Sequence, residues 1–279
     1  MKTQNPEKLK PPNMEFDGGQ LDVLWNHHNE AIEWYARHLG WSAGQTETWN
    51  NDLFAAEAKM TPLKRHDKGT IWLHSLRSDR PSPHFFADRD SRKPNLRWCF
   101  DMLDLEDKHA YFKTNGVPVS PIYSGPGQLL YFDFYSFDGT LLTCMGRSDS
   151  DSPLQENDGN WVTIGVGDLG QAISWYQQYV GMNVVAQDPA SKSAMMGLSS
   201  GKSRWWLYEV PLYSFAGPIN GAARPYMVIR GSTIAENYRQ VLNEHGVASS
   251  VMNGNPPLLS LSTFHFYDPW GNRLNYWTY

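Results

Sequence analysis

Three segments of the chain occur twice. Each returns in the second half, in the same order and at nearly the same spacing: residues 31–41 (AIEWYARHLGW) as 172–182 (AISWYQQYVGM), residues 106–117 as 236–247, and residues 131–143 (YFDFYSFDGTLLT) as 263–275 (TFHFYDPWGNRLN). A solenoid repeat has about 20–50 residues, and these copies are much longer. A chain of 279 residues has room for two cores of about 100–150 residues each. The repeat therefore predicts two copies of one domain.

The two copies share one order of predicted elements. Residues 20–25 (QLDVLW) alternate as a half-buried strand does, and residues 29–39 have the spacing of an amphipathic helix that Gly40 ends. In the second copy, residues 161–166 alternate in the same way, and Asp168 is the predicted N-cap of the following helix. The remaining predicted elements are strands at 71–76, 96–102, 204–210 and 225–230, helices at about 105–115 and 234–245, and turns at 136–139 and 268–272. Each copy is thus expected to contain strand, helix and further strands twice.

Composition marks the boundaries of the two copies. Residues 1–15 are polar and contain three prolines, which predicts a flexible leader. Residues 147–159 (RSDSDSPLQENDG) are rich in Ser and Asp and nearly free of apolar side chains, which is typical of a linker. We therefore expect the first domain at residues 16–146 and the second at residues 160–279.

Composition and charge argue against several classes of protein. The net charge is −5 and no basic stripe is present, so a nucleic-acid partner is not expected. Two cysteines are too few for a disulfide scaffold and indicate a reducing compartment. The N-terminus lacks the apolar core of a signal peptide, and no apolar run reaches the roughly 18 residues of a membrane span. We expect a cytoplasmic protein with no membrane partner.

Two motifs of the second copy are DLxxAxxWYxxxxG at residues 168–181 and DPxGN at residues 268–272. Together they resemble the vicinal oxygen chelate superfamily, which includes glyoxalase I, bleomycin-resistance proteins and extradiol dioxygenases. The resemblance implies an α+β fold with two tandem domains, each of paired βαβββ units that form a cupped mixed sheet with helices outside. It does not imply one reaction, because the superfamily contains many chemistries and some proteins that only bind.

The resemblance also implies where a divalent metal would be held. The ligands are His, Gln or Glu at inward-facing positions of the first and last strands of the units. These positions fall on Gln20, Arg97 and Thr143 in the first copy, with His74 as a further position, and on Trp161, Tyr226 or Met227, and Asn275 in the second. Only Gln20 and His74 suit a metal, and the guanidinium of Arg97 would repel one. We therefore expect no metal and no other cofactor, with a divalent metal as the alternative.

In dioxygenase-like members of the superfamily, the residue three before the Asp of the final turn lies in the active site. This position is His265 in the second copy and Asp133 in the first. Desolvation in an aromatic pocket disfavours the charged imidazole, so we predict that His265 is a general base or a hydrogen-bond acceptor. The alternative is a structural histidine. Arg273 and Asn275 alternate with Leu274 and would face the same cup.

Aromatic residues suggest the wall of the binding site. The chain has 12 Trp, more than two cores need, which indicates a ligand cleft or an interface. Trp205 and Trp206 point to opposite faces of one strand. We expect Trp206, Trp161 and Trp277 to form a stacking wall for a planar ligand, with Tyr226 nearby.

The first cup has its own candidate residues. Arg97, Asp101 and Asp133 form either an anion-recognising group or an internal salt-bridge network. Gln20, His74 and Thr143 are the other candidates in this cup. The residues alone do not decide between binding and packing for any of them.

These observations predict a protein that binds a small apolar or aromatic organic molecule without a metal, as the bleomycin-resistance proteins do. One alternative is an enzyme: a metal-independent isomerase or lyase with His265 as its base, or a metal-dependent enzyme similar to glyoxalases and dioxygenases. Another is a structural module. Motifs for nucleotide binding and for a nucleophilic serine are absent from the sequence. The expected partner is a small organic molecule, and the chain is expected to be a monomer or a homodimer.

Overall fold

The first half of the chain forms two units of strand, helix and further strands. The computed structural model describes residues 9–51, 56–64, 70–77, 95–146, 160–198, 204–211, 221–255 and 258–279. The first unit consists of β1 (Glu15–Asp22), α1 (His28–Leu39), β2 (Ser42–Ala43), β3 (Glu47–Asn51), β4 (Ala56–Lys64) and β5 (Thr70–Leu76). The second unit consists of β6 (Leu96–Met102), α2 (Leu105–Thr114), β7 (Tyr123–Ser124), β8 (Leu130–Tyr135) and β9 (Leu141–Gly146).

The second half repeats this order. The third unit consists of β10 (Asn160–Val166), α3 (Leu169–Tyr179), β11 (Asn183–Asp188), β12 (Ser193–Gly197) and β13 (Arg204–Glu209). The fourth unit consists of β14 (Ala223–Val228), α4 (Ser232–Glu244), β15 (Asn253–Asn255), β16 (Leu258–Tyr267) and β17 (Arg273–Thr278). Apart from the additional short strand β2, each unit has the order βαβββ.

The helix ends and the turn glycines lie where the sequence predicts them. Helix α1 ends at Gly40, whose φ of 70° is left-handed. Helix α3 begins after Asp168, whose Oδ1 accepts from the backbone N–H of Gln171 at 2.8 Å. Gly139 and Gly271 have φ of 78° and 81° in the two hairpin turns, a conformation that glycine adopts without steric strain. The predicted helices and turns are confirmed.

The strands form two mixed sheets. The nine-stranded sheet has the order β15-β16-β17-β14-β1-β5-β4-β2, with β3 paired to β4, and the eight-stranded sheet has the order β11-β12-β13-β10-β6-β9-β8-β7. Both contain parallel and antiparallel pairs. We call the face of each sheet that points away from the helices its cup. The predicted fold class, cupped mixed sheets built from βαβββ units, is confirmed.

Each sheet takes one unit from each half of the chain. Strand β1 pairs with β14, with Gln20 opposite Arg224, and β10 pairs with β6, with Trp161 opposite Cys99. This differs from the expectation that the two units of one half share a cup. Alternation of side chains shows which face of a strand is buried but not which other strand lies beside it. The predicted linker at 147–159 lies outside the described residues, and the domain boundaries remain a prediction.

The hydrophobic cores, in contrast, lie mostly within the halves. One core joins strands of the first and second units, such as Leu21 of β1 and Trp98 of β6, and packs against α1 and α2. The other joins strands of the third and fourth units, such as Ile164 of β10 and Met227 of β14, and packs against α3 and α4. None of the described helices is long and apolar enough to cross a membrane. Each half therefore has its own core, and each cup is shared.

Residues 9–14 are packed against the second half. Leu9 and Met14 are buried in its core, and the ring of Pro11 lies close to Gly181. A flexible leader extending to residue 15 is therefore not what the structure has, because apolar side chains anchor its second part. Residues 1–8 lie outside the described residues.

Candidate functional site

The cup of the nine-stranded sheet brings polar residues of both halves together. Cross-strand neighbours, such as Gln20 with Arg224 and Asn275 with both Tyr226 and His265, lie on the same face. We call this face the charged cup, and it includes Gln20, Asp22, Trp72, His74, Arg224, Tyr226, His265, Arg273, Asn275 and Trp277. Seven of these ten were predicted as site residues; Asp22, Trp72 and Arg224 were not.

Asp22 is the centre of a buried network at one end of the charged cup. Its Oδ1 accepts from Nε2 of Gln20 at 3.2 Å and from Nδ1 of His74 at 2.8 Å. Its Oδ2 forms a salt bridge with the guanidinium of Arg224. A carboxylate only accepts, so Nδ1 of His74 carries a hydrogen, and Nε2 is the ring nitrogen that does not face Asp22. None of the four residues is more than 9% exposed, so the network is shielded from solvent.

His265 has the opposite tautomer. Nη2 of Arg273 lies 3.1 Å from its Nδ1, and a guanidinium has only donors, so the hydrogen of the neutral ring is on Nε2. Burial, followed by the positive charges of Arg273 and Arg224, lowers the pKa of His265 to about 3. His265 therefore presents an N–H donor at neutral pH, and its other nitrogen already accepts a hydrogen bond.

A pocket opens where β14 and β17 begin. Its lining includes Arg224, Arg273 and Asn275, together with Trp270. Nδ2 of Asn275 donates to the backbone carbonyl of Pro225 at 3.3 Å, whereas its buried Oδ1 has no hydrogen-bond partner among the described residues. Burial and then the like charge of Arg224 lower the pKa of Arg273. The pocket therefore offers two cations and one amide oxygen.

A rigid aromatic wall continues the charged cup along the same strands. The rings of Tyr226 and Trp277 are stacked, with centroids 4.4 Å apart and an angle of 14° between planes. Trp72 packs against this pair. Nε1 of Trp277 donates to the carboxylate of Asp17 at 3.0 Å, which fixes the indole. The charged cup thus places a buried, stacked aromatic pair on the same face as two guanidinium groups.

The cup of the eight-stranded sheet is filled by its own side chains, and we call it the filled cup. Its cluster contains Cys99, Tyr131, Met145, Trp161, Met195 and Trp206, each at most 4% exposed. The short turn at residues 126–128 covers them, and Gly127 lies so close that a methyl group there would be 2.6 Å from the Trp206 ring. Trp161 and Trp206 are packing residues. The expectation that they form one wall with Trp277 is wrong, because Trp277 lies in the other sheet.

The polar candidates of the filled cup bind one another. Oδ1 of Asp133 accepts from Thr143 Oγ1 at 2.7 Å and from the Tyr123 hydroxyl at 3.1 Å, and Nε of Arg97 lies 4.0 Å away. Of the two alternatives for Arg97 and Asp133, the structure therefore favours the internal network over an anion-recognising group.

The donors of the charged cup do not fit a divalent metal ion. The crosswise pairing brings four of the implied ligand positions together, and they are Gln20, His74, Tyr226 and Asn275. Two of these are amides and one is a ring stacked on a tryptophan, whereas first-row metals prefer imidazole, thiolate and carboxylate. Arg224 adds a fixed positive charge beside them. The described part of the chain contains no group of three His, Cys, Asp or Glu that could hold a metal.

Comparison with known proteins agrees with this architecture. Residues 159–276 match the family model of the Glyoxalase/Bleomycin resistance protein/Dioxygenase superfamily. This match covers 118 of the 279 residues, all in the second half of the chain. Glyoxalase I from Zea mays is 16% identical, with a TM-score of 0.61 over 95% of this chain and 93% of that chain. A putative dioxygenase from Bacillus subtilis is 10% identical, with a TM-score of 0.62 over 96% of this chain and 86% of that chain.

These two structures share one fold with both halves of the chain, so the predicted tandem, two-domain arrangement is confirmed. Their low identity establishes the fold alone. No curated protein matches the chain. The reaction or ligand therefore has to be argued from the charged cup itself.

Two polar residues of the charged cup were missed at the sequence level for different reasons. Asp22 lies on the polar face of QLDVLW with Gln20, so the alternation carried a signal for it, but Asp22 is not one of the metal-ligand positions that the resemblance implies. Arg224 precedes the predicted strand at 225–230, and β14 begins at Ala223. The alternation of Arg224 with Tyr226 would have found it.

Proposed function

We propose that the chain binds a small aromatic organic molecule in the charged cup and that binding requires no metal ion. The observation that carries this proposal is the contrast between the two cups of one fold. The filled cup is an apolar cluster under the turn that covers Trp206, whereas the charged cup combines the stacked Tyr226–Trp277 pair with polar side chains, three of which line a pocket.

The chemistry of the charged cup supports this proposal. Small-molecule sites are mostly apolar, with a few fixed polar groups that orient the ligand. Tyr226 and Trp277 supply the flat surface, and His265 and Asn275 supply one donor and one acceptor whose positions hydrogen bonds fix. We expect the partner to be a small molecule and the chain to be a monomer or a homodimer.

The absence of a metal requirement follows from the donor set. A cation placed among the candidate ligands would lie beside Arg224 and would find two neutral amides and an aromatic ring. We therefore expect that chelators leave ligand binding unchanged.

Calorimetry with planar aromatic compounds, both neutral and anionic, tests the proposal. We expect at least one class to bind the chelator-treated protein, and Trp277→Leu to weaken that binding at least tenfold. Trp34→Leu is the matched control, because Trp34 is a half-buried indole on α1 and outside both cups. Binding that depends on a stoichiometric metal, or that Trp277→Leu leaves intact, would contradict the proposal.

The Asp22–His74 pair favours a metal-independent isomerase or lyase as the second candidate. Asp22 holds the Nδ1–H of His74 at 2.8 Å, which leaves Nε2 as a base, an arrangement that many acid–base catalysts use. His265 suits this role less well, since its pKa is about 3 and its Nδ1 is occupied. If a bound compound is turned over, His74→Gln should abolish turnover, and loss with His265→Gln alone would assign the base to His265 instead.

A further inference from the structure

We propose that His74 and Trp49 form a hydroxyl-binding subsite of the charged cup, so that its ligand is a hydroxylated aromatic molecule of the phenol class. This inference rests on the proposed function and names the ligand class for the same cup. It is carried by the fixed orientation of the His74 ring, by the buried indole N–H of Trp49 beside that ring, and by the aromatic wall that begins next to it.

The face of the charged cup continues past His74 onto β4 and β3. Met60 of β4 lies opposite His74, and Trp49 of β3 lies opposite Ala58, two residues before Met60. Residues that are directly opposite, and residues two apart on one strand, share a face of a sheet. Trp49 therefore lies on the same face as His74, and the centroids of their rings are 6.4 Å apart.

One nitrogen of the His74 ring is left for a ligand. Nδ1 donates to Oδ1 of Asp22 at 2.8 Å, and Gln20 and Arg224 hold the same carboxylate. Nε2 has no hydrogen-bond partner among the described residues, and 9% of the side chain is exposed. The ring is thus oriented by Asp22 on one side and presents Nε2 on the other.

Trp49 is an independent indication of a ligand. Its Nε1 is buried and has no hydrogen-bond partner within the described part of the chain, which is unfavourable unless something accepts from it. The indole N–H groups of Trp98, Trp205 and Trp206 are also unpaired, but these residues are at most 4% exposed inside hydrophobic clusters. Trp49 is only half-buried, so a ligand oxygen that contacts both Trp49 and His74 would accept from its N–H.

A hydroxyl group satisfies both nitrogen atoms. Nε2 of His74 accepts when the ring is neutral and donates when the ring is charged, whereas the indole N–H of Trp49 only donates. A hydroxyl has one hydrogen to donate and two lone pairs that accept, so it pairs with Nε2 in either state and also accepts from Trp49. A carbonyl or ether oxygen has no hydrogen to donate to a neutral imidazole. The pair therefore recognises an O–H group.

Glu47 makes a carboxylate a poorer fit than a hydroxyl. It lies on β3 opposite Met60, so it is on the same face as His74 and two strands away from it. A ligand carboxylate at His74 would meet this like charge, which is unfavourable. A hydroxyl group is neutral and avoids that repulsion.

The rest of the ligand is aromatic because the wall of the cup begins next to His74. Trp72 lies two residues before His74 on the same face of β5 and packs against the stacked Tyr226–Trp277 pair. Alternate residues are about 7 Å apart along a strand, which a two-ring aromatic molecule with one hydroxyl group spans. Trp72 and Trp49 are both half-buried, so part of each indole is open to a ligand.

Three matched probes test the inference by calorimetry at pH 7: 2-naphthol, 2-methoxynaphthalene and 2-naphthoate. We expect the wild-type protein to bind naphthol at least tenfold more tightly than methoxynaphthalene, because only naphthol donates to Nε2. His74→Phe keeps a ring but no nitrogen, so it should remove this preference and leave the affinity for methoxynaphthalene unchanged. His245→Phe is the control, because His245 is half-buried at the end of α4 and outside both cups.

Trp49→Phe tests the indole N–H separately. Both naphthol and methoxynaphthalene have an oxygen that accepts from it, so both affinities should fall about threefold to tenfold, as expected for one hydrogen bond. Trp34→Phe is the control, because Trp34 lies on α1 and outside both cups.

Each outcome has one meaning. If naphthol and methoxynaphthalene bind equally, or if His74→Phe keeps the preference, the hydroxyl inference is overturned while the proposed function stands. If naphthoate binds more tightly than naphthol, the subsite is for an anion and the inference is also overturned. If no probe binds, both the inference and the proposed function fail. Should His74→Phe not fold, Trp49→Phe decides, and an unchanged affinity for naphthol overturns the inference.

Discussion

Two histidines of the charged cup have opposite roles because their neighbours have opposite charges. The carboxylate of Asp22 can only accept, so it fixes the hydrogen of His74 on Nδ1, and the guanidinium of Arg273 can only donate, so it fixes the hydrogen of His265 on Nε2. A sequence shows that a histidine is present but not which partner faces it. His265 can therefore act as the predicted acceptor or base only if Nε2, the nitrogen that does not face Arg273, loses its hydrogen.

His265 should remain neutral far below the usual pKa of histidine. Burial and the adjacent guanidinium groups lower its pKa from 6.5 to about 3, so we expect the Nε2–H tautomer between pH 5 and 8. Nitrogen-15 NMR of the imidazole checks this directly. A midpoint near pH 6.5, or an Nδ1–H tautomer, would contradict the arrangement with Arg273.

The same shift has a consequence for stability. The unfolded chain takes up a proton at this histidine near pH 6.5, and the folded chain does so near pH 3. The unfolded state therefore binds more protons between these values, and the free energy of unfolding should fall as pH decreases through this window, by at most about 1.4 kcal/mol per pH unit. Urea unfolding of wild type and His265→Gln from pH 4 to 8 should give a shallower decrease for the variant. If the free energy of unfolding depends on pH equally in both proteins, the lowered pKa of His265 is refuted.

The filled cup depends on a glycine. Gly127 has a φ of 68°, and an added methyl group would lie 2.6 Å from the ring of Trp206. Gly116 has nearly the same φ, 73°, and nothing within 4 Å. Both alanine variants incur the strain of positive φ, about 1–2 kcal/mol, but only Gly127→Ala also overpacks the cup, which adds about 1–3 kcal/mol. Chemical unfolding should show this difference, and equal losses would mean that the turn does not press on Trp206.

At the scale of elements, the two copies hold their final hairpin turns differently. In the second half, the hydroxyl of Tyr176 on α3 donates to Asp268 at 2.9 Å, and Asp268 also accepts from the turn itself. In the first half, Tyr35 on α1 meets Ser136 at 3.0 Å. In both halves, a buried tyrosine that occurs in each copy of the repeat joins the helix of one unit to the hairpin of the other unit. The DPxGN motif thus has a structural role beyond the turn.

Asp268→Asn should therefore be more destabilising than an exposed cap variant. The substitution replaces an acceptor oxygen of a buried carboxylate with an NH₂ donor, which can accept neither from the Tyr176 hydroxyl nor from Nδ2 of Asn272, and this costs about 2–3 kcal/mol. Asp168→Ala is the control, because it removes the exposed N-cap of α3, worth about 1 kcal/mol. Thermal or urea unfolding of the two variants measures the difference. A loss for Asp268→Asn no greater than that for Asp168→Ala would show that the Tyr176 contact contributes little.

Elements were predictable from the sequence, whereas their pairing was not. The strand at 96–102 and the helix at 29–39 follow from alternation and from Gly40, which are local signals. The pairing of β1 with β14 joins strands that are about 200 residues apart, and no local pattern selects it. Placing His265, Arg273 and Asn275 on one face succeeded because two paired strands fix that face. The prediction that Trp161 and Trp277 share one wall was wrong because it depended on which strands pair across the halves.

At the scale of the whole molecule, the hydrophobic cores lie within the halves and the cups lie between them. The residues that stabilise each half are therefore largely distinct from those of the proposed binding site. A change in a core residue such as Tyr176 affects one half, whereas the charged cup exists only when both halves are docked. Asp22 and His74 come from the first half, and Arg224 and Arg273 from the second. An aromatic residue on an alternating strand is predicted to face a cup, but only the whole structure shows that one cup is filled and the other borders a pocket.

The halves should stay together when the connection between them is cut. Separation would expose the edges of four central strands, β1 with β14 and β6 with β10, and would remove Leu9 and Met14 from the second core. We expect a chain cleaved at a protease site inserted within residues 147–159 to remain one species near 31.8 kDa by native mass spectrometry. It should keep the affinity of the uncut insertion variant, its matched control, for the planar aromatic compound that the wild-type protein binds. If the halves separate in native buffer and one of them still binds that compound alone, then the cup between the halves is not the binding site.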